Sequence, residues 1–459
     1  MQILSELDAR HLLVRTGFTA SHSELAPFVG LNSEVAVDRI LQGAQQNKTQ
    51  QPIPAFVSAS TTTSTFVPPG QLKTQEERME QRRMQILEGV EIKQWWLWEM
   101  LTTTNPLAER MALFWHNHFA TSQQKVVRSM AMWNQHQLLR SQALGSFSKL
   151  LLGIVRDPAM LIYLDNINSS WQSPNENLAR ELFELFTLGE ASTGGGYTEQ
   201  DIKESARALT GYSVDGDTGA FMFRPRLRDP GSKRILGSSG LVDGEGLIDI
   251  ILKQPQTAHY IVNKLWLEFV SPMPNPAVVA KAADAFRQSG YDISAALRVL
   301  LLSDDFWLDS NHGSLIKSPI DLLVGVARQF QFAISQPDVL VNRSAGLGQN
   351  LLMPPNVKGW PGGTQWINAT TLLERKRTTE QIFSIGNNMN ASSLGMSFDR
   401  EKFLNQYGAT TEREPDAVSK QKLASVMFAT AQPSHAVPAG TVGSAYIRAL
   451  TLDPVFQLK

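Results

Sequence analysis

Between residues 106 and 213 the sequence is cut into short helices by closely spaced start and stop signals, and that punctuation leaves little room for anything but a many-helix architecture. Pro106 opens one helix and Asp157-Pro158 breaks the next. Ser173-Pro174-Asn175-Glu176 then supplies, in order, a cap, a first-turn proline and a capping-box glutamate. Thr198 and Asp201 form a second box, and Ser318-Pro319 starts a later helix in the same way. Strand-like text is confined to one place: "YSV", the turn "DGDTG" and "AFMFRPR", with "KRILG" as a third segment. The expectation is a mainly α fold, a large multi-helix domain with a small β-hairpin insertion near 212–237. Residues 1–390 form its core, and 391–459 are a helical extension packed on it. Residues 45–70, rich in Gln, Thr, Ser and Pro, read as a flexible surface excursion.

Composition narrows the chemistry. The 459 residues include no cysteine, so thiolate metal ligands and cysteine nucleophiles are excluded and any metal must use His, Asp or Glu. With 42 basic and 43 acidic side chains there is no long-range field to hold nucleic acid. No stretch is long and apolar enough for an integral membrane segment. The N-terminal "MQILSELDARHLLVRTGF" shows no signal peptide.

The stretch "FWHNHFATS" at 114–122 carries the densest chemistry. Leu107, Met111, Phe114, Trp115, His118 and Phe119 follow helical spacing, which puts His118 with the apolar stripe. His116 then lies roughly 200° away, at about 100° per residue, so the two imidazoles cannot share one ion. His118 is either a hydrogen-bonded core residue or a ligand with partners elsewhere. "SPNENLARELFELFTLGE" offers such partners, because Asn177, Glu181 and Glu184 share a flank at i, i+4 and i+7. His118, Glu181 and Glu184 would then form a catalytic carboxylate and imidazole site for a divalent metal ion. The structural alternative pairs Glu181 with Arg110, Arg180 or Arg207. The Pro- and Gly-rich loop "PPNVKGWPGGTQW" adds Lys358, Trp360 and Trp366, with Asn177, as substrate-binding candidates. Lys264 reads as a surface or loop-pinning residue and Trp266 as core.

"ARHLLVRTGF", "ERMALFWHNHFATS", "NENLARELFELFTLG", "GGYTEQDIKESARALTGYSV", "GQNLLMPPNVKGWPGGTQWIN" and "LDPVFQLK", in this order, closely resemble the bacterial family catalogued as domain of unknown function 1800. The resemblance spans nearly the whole chain. It implies a predominantly helical domain, a periplasmic or exported setting, and an exported partner resembling the alkaline phosphatase superfamily. Two functions are expected from the residues, with the envelope setting and the exported partner taken from the resemblance. One is a metal-assisted hydrolase or oxidoreductase in or for the cell envelope, with His116 or His118, Glu181 and Glu184 at its centre. The other is a non-enzymatic binding or assembly factor for an exported partner or surface polymer, which would display its loop tryptophans over a flat face instead of enclosing them in a pocket.

Overall fold

The computed structural model describes residues 2–46, 48–59, 69–384, 395–430 and 432–459. Helices dominate, and those that build the site are α1 (Glu6–Thr16), α2 (Gln75–Thr102), α3 (Pro106–His118), α4 (Ser129–Ser141), α5 (Asn177–Glu181), α6 (Pro255–Phe269) and α7 (Pro319–Gln329). Their ends follow local chemistry. Thr74 caps α2 in a box with Glu77, Pro106 occupies the first turn of α3, and Ser318 caps α7 in a box with Asp321. The start of α5 departs from the sequence reading. Ser173 bridges back to Ser170, and the helix begins only at Asn177, whose N–H donates to Asn175 Oδ1 at 2.9 Å. Glu176 makes no capping box and pairs with Arg180 at 3.2 Å.

Strands among the described residues form three antiparallel pairs. Tyr212–Val214 (β1) pairs with Phe221–Phe223 (β2), as the turn "DGDTG" suggests. Lys233–Ile235 (β3) does not extend that hairpin. It pairs with Ser238–Gly240 (β4) through Leu236 and Gly237, both at positive φ, the backbone of a two-residue primed turn. Ala333–Ile334 (β5) pairs with Met396–Ser397 (β6).

Apolar burial falls into two clusters, and α3 runs between them. Leu107, Met111 and Trp115 join the larger one, built from residues of 4–306; Ala112 and Leu113 face the smaller one, which gathers Phe18, Phe56, Ala159 and residues of 92–133 with residues of 320–456. A helix buried on both sides has an apolar circumference interrupted only where polar groups find partners. His116 and His118 are such interruptions, on opposite sides. Part of the 45–70 stretch is tied to this framework: Gln50 and Gln51 donate their backbone N–H groups to Glu99 Oε1 at 2.8 and 2.6 Å, and Phe56 is buried in the short helix Ala55–Ala59. Residues 60–68 of that stretch lie outside the described residues.

Candidate functional site

The two histidines of α3 have separate partners. His116 Nε2 lies 3.0 Å from His136 Nδ1 of α4, and its ring packs 4.5 Å from that of Trp96. Burial lowers its pKa to about 3. On the other side, His118 Nε2 lies 3.0 Å from the carbonyl oxygen of Phe186. A carbonyl only accepts, so Nε2 carries the proton and Nδ1 is left as an acceptor. Lys264 of α6 donates to that Nδ1 at 3.2 Å. Burial first, and the Lys264 charge second, hold His118 well below the usual histidine range.

The carbonyl that fixes this tautomer is available because α5 loosens as it ends. Leu182–Thr187 is a π-helical turn, and the N–H groups of Leu188 and Gly189 both reach back to the Phe183 carbonyl. The carbonyls of Leu185 and Phe186 are thereby freed for side chains. Lys264 Nζ donates to Leu185 O at 3.3 Å, Tyr260 Oη to the same oxygen at 3.0 Å, and His118 to Phe186 O. Lys264 therefore does pin a chain segment, as its position suggests. It also sits 4.9 Å from the centre of the Tyr260 ring, and among the described residues no carboxylate lies within ion-pair distance of it. Burial lowers its pKa to about 8.

His118 and Lys264 open onto a cavity of about 410 Å³. Its walls are Phe114, Leu267, Trp360 and Trp366, and its polar lining includes Arg110, Asn117, Gln349 and Lys358. The 350–366 loop is fastened to α3 by the Trp360 N–H, which donates to Asn117 Oδ1 at 2.6 Å. Gly359 makes this approach: its φ is +88°, and a Cβ there would stand 2.2 Å from Asn117 Oδ1. Both tryptophans are enclosed, at 5% and 6% exposure.

Charges on the cavity floor are mostly matched. The Arg110 guanidinium contacts Asp321, Glu268 at 2.6 Å and the Gly17 carbonyl at 2.5 Å. Lys459 Nζ reaches Asp321 at 2.8 Å and Glu268 at 3.4 Å. Burial works to raise the Asp321 carboxyl, yet Arg110 and Lys459 together hold it well below the usual carboxylate range.

A family model described as "Protein of unknown function (DUF1800)" matches residues 11–458. The chain belongs to this family. No curated protein and no solved structure matches it.

Of the catalytic, metal and substrate-binding candidates in this DUF1800 sequence, four line the one cavity: His118, Lys358, Trp360 and Trp366. Glu181 and Glu184 share a flank and act on each other, and both feel the charge of Lys358, but neither is part of the cavity lining. Burial, then Glu184, raises the Glu181 carboxyl. Glu184 pairs with Arg180 at 3.4 Å, while Arg207 is held by Glu204 and Asp229. Lys358 itself is exposed and pairs with Glu190 at 3.0 Å. Asn177 is exposed on α5 and is not part of the cavity lining. Among the described residues no three His, Asp or Glu side chains gather as a metal-binding group, so His118, Glu181 and Glu184 do not meet as donors to one ion. The reason lies in the π-helical turn, whose free carbonyl already holds His118 Nε2 while Lys264 occupies Nδ1.

Lys264 and Arg110, read from the sequence as a loop-pinning residue and a possible partner of Glu181, complete the site with Asn117, Gln349, Asp321 and Glu268, which the sequence reading did not assign to it. Only Asp321, as the third residue of a capping box, is marked locally. A larger cavity of about 590 Å³ beside Gln45, Arg140 and Asp292 is more open, and its Arg140 is already engaged by Glu99 and Glu109.

Proposed function

We propose that the protein is an enzyme that holds a small molecule in the cavity between α3, α6 and the 350–366 loop and acts on it by acid–base chemistry centred on Lys264. The observation that carries the reading is the Lys264 amine, which lines the cavity with two of its hydrogen-bond directions fixed, toward His118 Nδ1 and Leu185 O. An ammonium has three N–H donors, so one direction remains. Charged, Lys264 directs an N–H at a substrate oxygen; neutral, it directs a lone pair at a substrate proton. With a pKa of about 8 both forms are accessible near neutral pH. His118, kept neutral, orients the amine. The enclosure of Trp360 and Trp366 favours a pocket over a displayed aromatic face. Hydrolase chemistry fits this arrangement with a substrate oxygen polarised by Lys264. The cell-envelope setting and an exported partner rest on the family resemblance.

The test is turnover of ester, glycoside, phosphoester and keto- or hydroxy-acid panels by the purified protein and by Lys264→Met. Expected is an activity that falls about 10²-fold or more in the variant, the usual scale for a general acid or base, with the circular dichroism spectrum unchanged. Activity equal in both proteins would remove Lys264 from the chemistry. Ligand binding without turnover in any panel would favour the binding-factor reading.

A further inference from the structure

Several donors in the cavity lining have no protein partner among the described residues. Asn117 and Gln349 each spend the side-chain oxygen on a backbone N–H, that of Trp360 at 2.6 Å and that of Ile320 at 2.9 Å. These bonds fix the orientation of both amides and leave their NH₂ groups without a partner among the described residues. The Trp360 indole N–H is buried and likewise unpartnered. Lys264 adds its third N–H. A buried donor such as the Trp360 N–H is expensive to leave unmade, and a ligand rich in acceptors would satisfy it together with the two amides.

The charges add a second restriction. Arg110 and Lys459 are matched by Asp321 and Glu268, and Lys358 by Glu190. Lys264 faces His118 Nδ1, the Leu185 carbonyl and the Tyr260 ring, none of which carries a full negative charge. Among the described residues Lys264 is the cation of the lining without a carboxylate at ion-pair distance.

We infer that the ligand of this cavity carries a single carboxylate, accepted by Lys264 and the amide donors of Asn117 and Gln349, on a flat ring or pyranose body that lies against Trp360 and Trp366. This deepens the proposed function and rests on its assignment of the cavity as the site. A carboxylate offers about four acceptor positions and one charge, which fits the donor set better than a phosphate dianion would. The cavity volume suits one ring with short substituents.

Isothermal titration at low salt and pH 7 tests this with matched probes: benzoate against benzamide, galacturonate against galactose, and phenyl phosphate. Expected is binding of at least one acid about tenfold or more tighter than its neutral counterpart, the scale of one charge-assisted hydrogen bond. That advantage should vanish in Lys264→Met and shrink as pH rises through 8, where the ammonium is lost. Gln349→Glu, which places a negative charge in the lining and leaves the lysine contacts alone, should also abolish acid binding; it guards against a lysine variant that fails to fold. Equal binding of neutral and acidic probes, tighter binding of phenyl phosphate than of benzoate, or no binding of any acid overturns the carboxylate inference but not the acid–base reading, which the turnover assay judges separately. An acid preference that survives both substitutions places the ligand elsewhere and overturns both.

Discussion

His116 and His118 stand two residues apart on one helix, and their surroundings differ in almost every respect. His116 packs against Trp96 and His136, and His136 in turn against Trp95 and Trp133; the polar partner of His116 is another imidazole, and His136 Nε2 has none among the described residues. His118 faces carbonyls, an ammonium and a cavity. Both are buried, at 4% exposure, so burial alone does not separate them. What separates them is whether the neighbouring polar groups satisfy one another or leave something over for a ligand. Around His116 the polar atoms are few and internal; around His118 there remain unpaired donors and an ammonium with no carboxylate at ion-pair distance among the described residues.

The comparison breaks first at Trp96, which is fully buried and donates to Glu109 at 3.2 Å. Trp96→Ala is expected to lower stability by about 3–5 kcal/mol, read by urea denaturation, while the folded fraction binds cavity ligands with unchanged affinity. A loss of affinity in step with stability would mean that the two sides of α3 are not independent.

A smaller effect is expected on the cavity side at Gly359. Adding a methyl group at a left-handed φ and 2.2 Å from Asn117 Oδ1 forces the loop away from α3. Gly359→Ala should destabilise by about 1–3 kcal/mol and weaken ligand binding, with the His116 enclosure untouched, as reported by the chemical shifts of His136. Wild-type affinity in this variant would show that the loop does not shape the cavity.

The third expectation is about pH. His116 and His136 have pKa values lowered by burial, so the unfolded chain takes up protons before the folded one and stability is lost as pH falls below the ordinary histidine value of 6.5. Each such histidine contributes about 1.4 kcal/mol per pH unit there. His136→Phe should flatten the acid limb of the stability curve by about that slope, measured by denaturation from pH 6.5 to 5. An unchanged limb would place the acid sensitivity outside the pair.

The smallest effect is expected at Lys358, whose pair with Glu190 is exposed to solvent on both sides. Lys358→Ala should leave the melting temperature unchanged and alter ligand affinity only slightly, and less at high salt. A large loss of affinity would move the anchoring charge from the cavity floor to its rim.

Much of this geometry is written locally in the sequence. The 100° step of a helix is enough to separate the two imidazoles, and the capping box of Thr198 and Asp201 and the proline start of α3 are realised as written. Trp360 and Trp366 in a proline-rich loop announce a packed segment, because large aromatic rings seldom stay in water. The remainder depends on distant partners. Nothing near Lys264 in sequence tells that its amine meets His118, 146 residues away, and nothing near Gln349 tells that it spends its oxygen on Ile320. The π-helical turn at 182–187 is also invisible to a spacing argument, which assumes one regular period through Glu181 and Glu184. The same regularity placed a cap at Ser173, where bonds between Ser170 and Ser173 and an Asn175 oxygen delay the helix to Asn177.

The claim that the chemistry lies on the His118 side is tested most directly by titrating the Lys264 amine itself. Brief acetylation at a series of pH values, read residue by residue by mass spectrometry with and without benzoate, gives the ionisation of each lysine and its protection by ligand. Half-maximal reactivity of Lys264 near pH 8, with protection by benzoate that Lys358 does not share, is the result expected. Ionisation of Lys264 near the ordinary lysine value of 10.5, with no protection, would contradict the account.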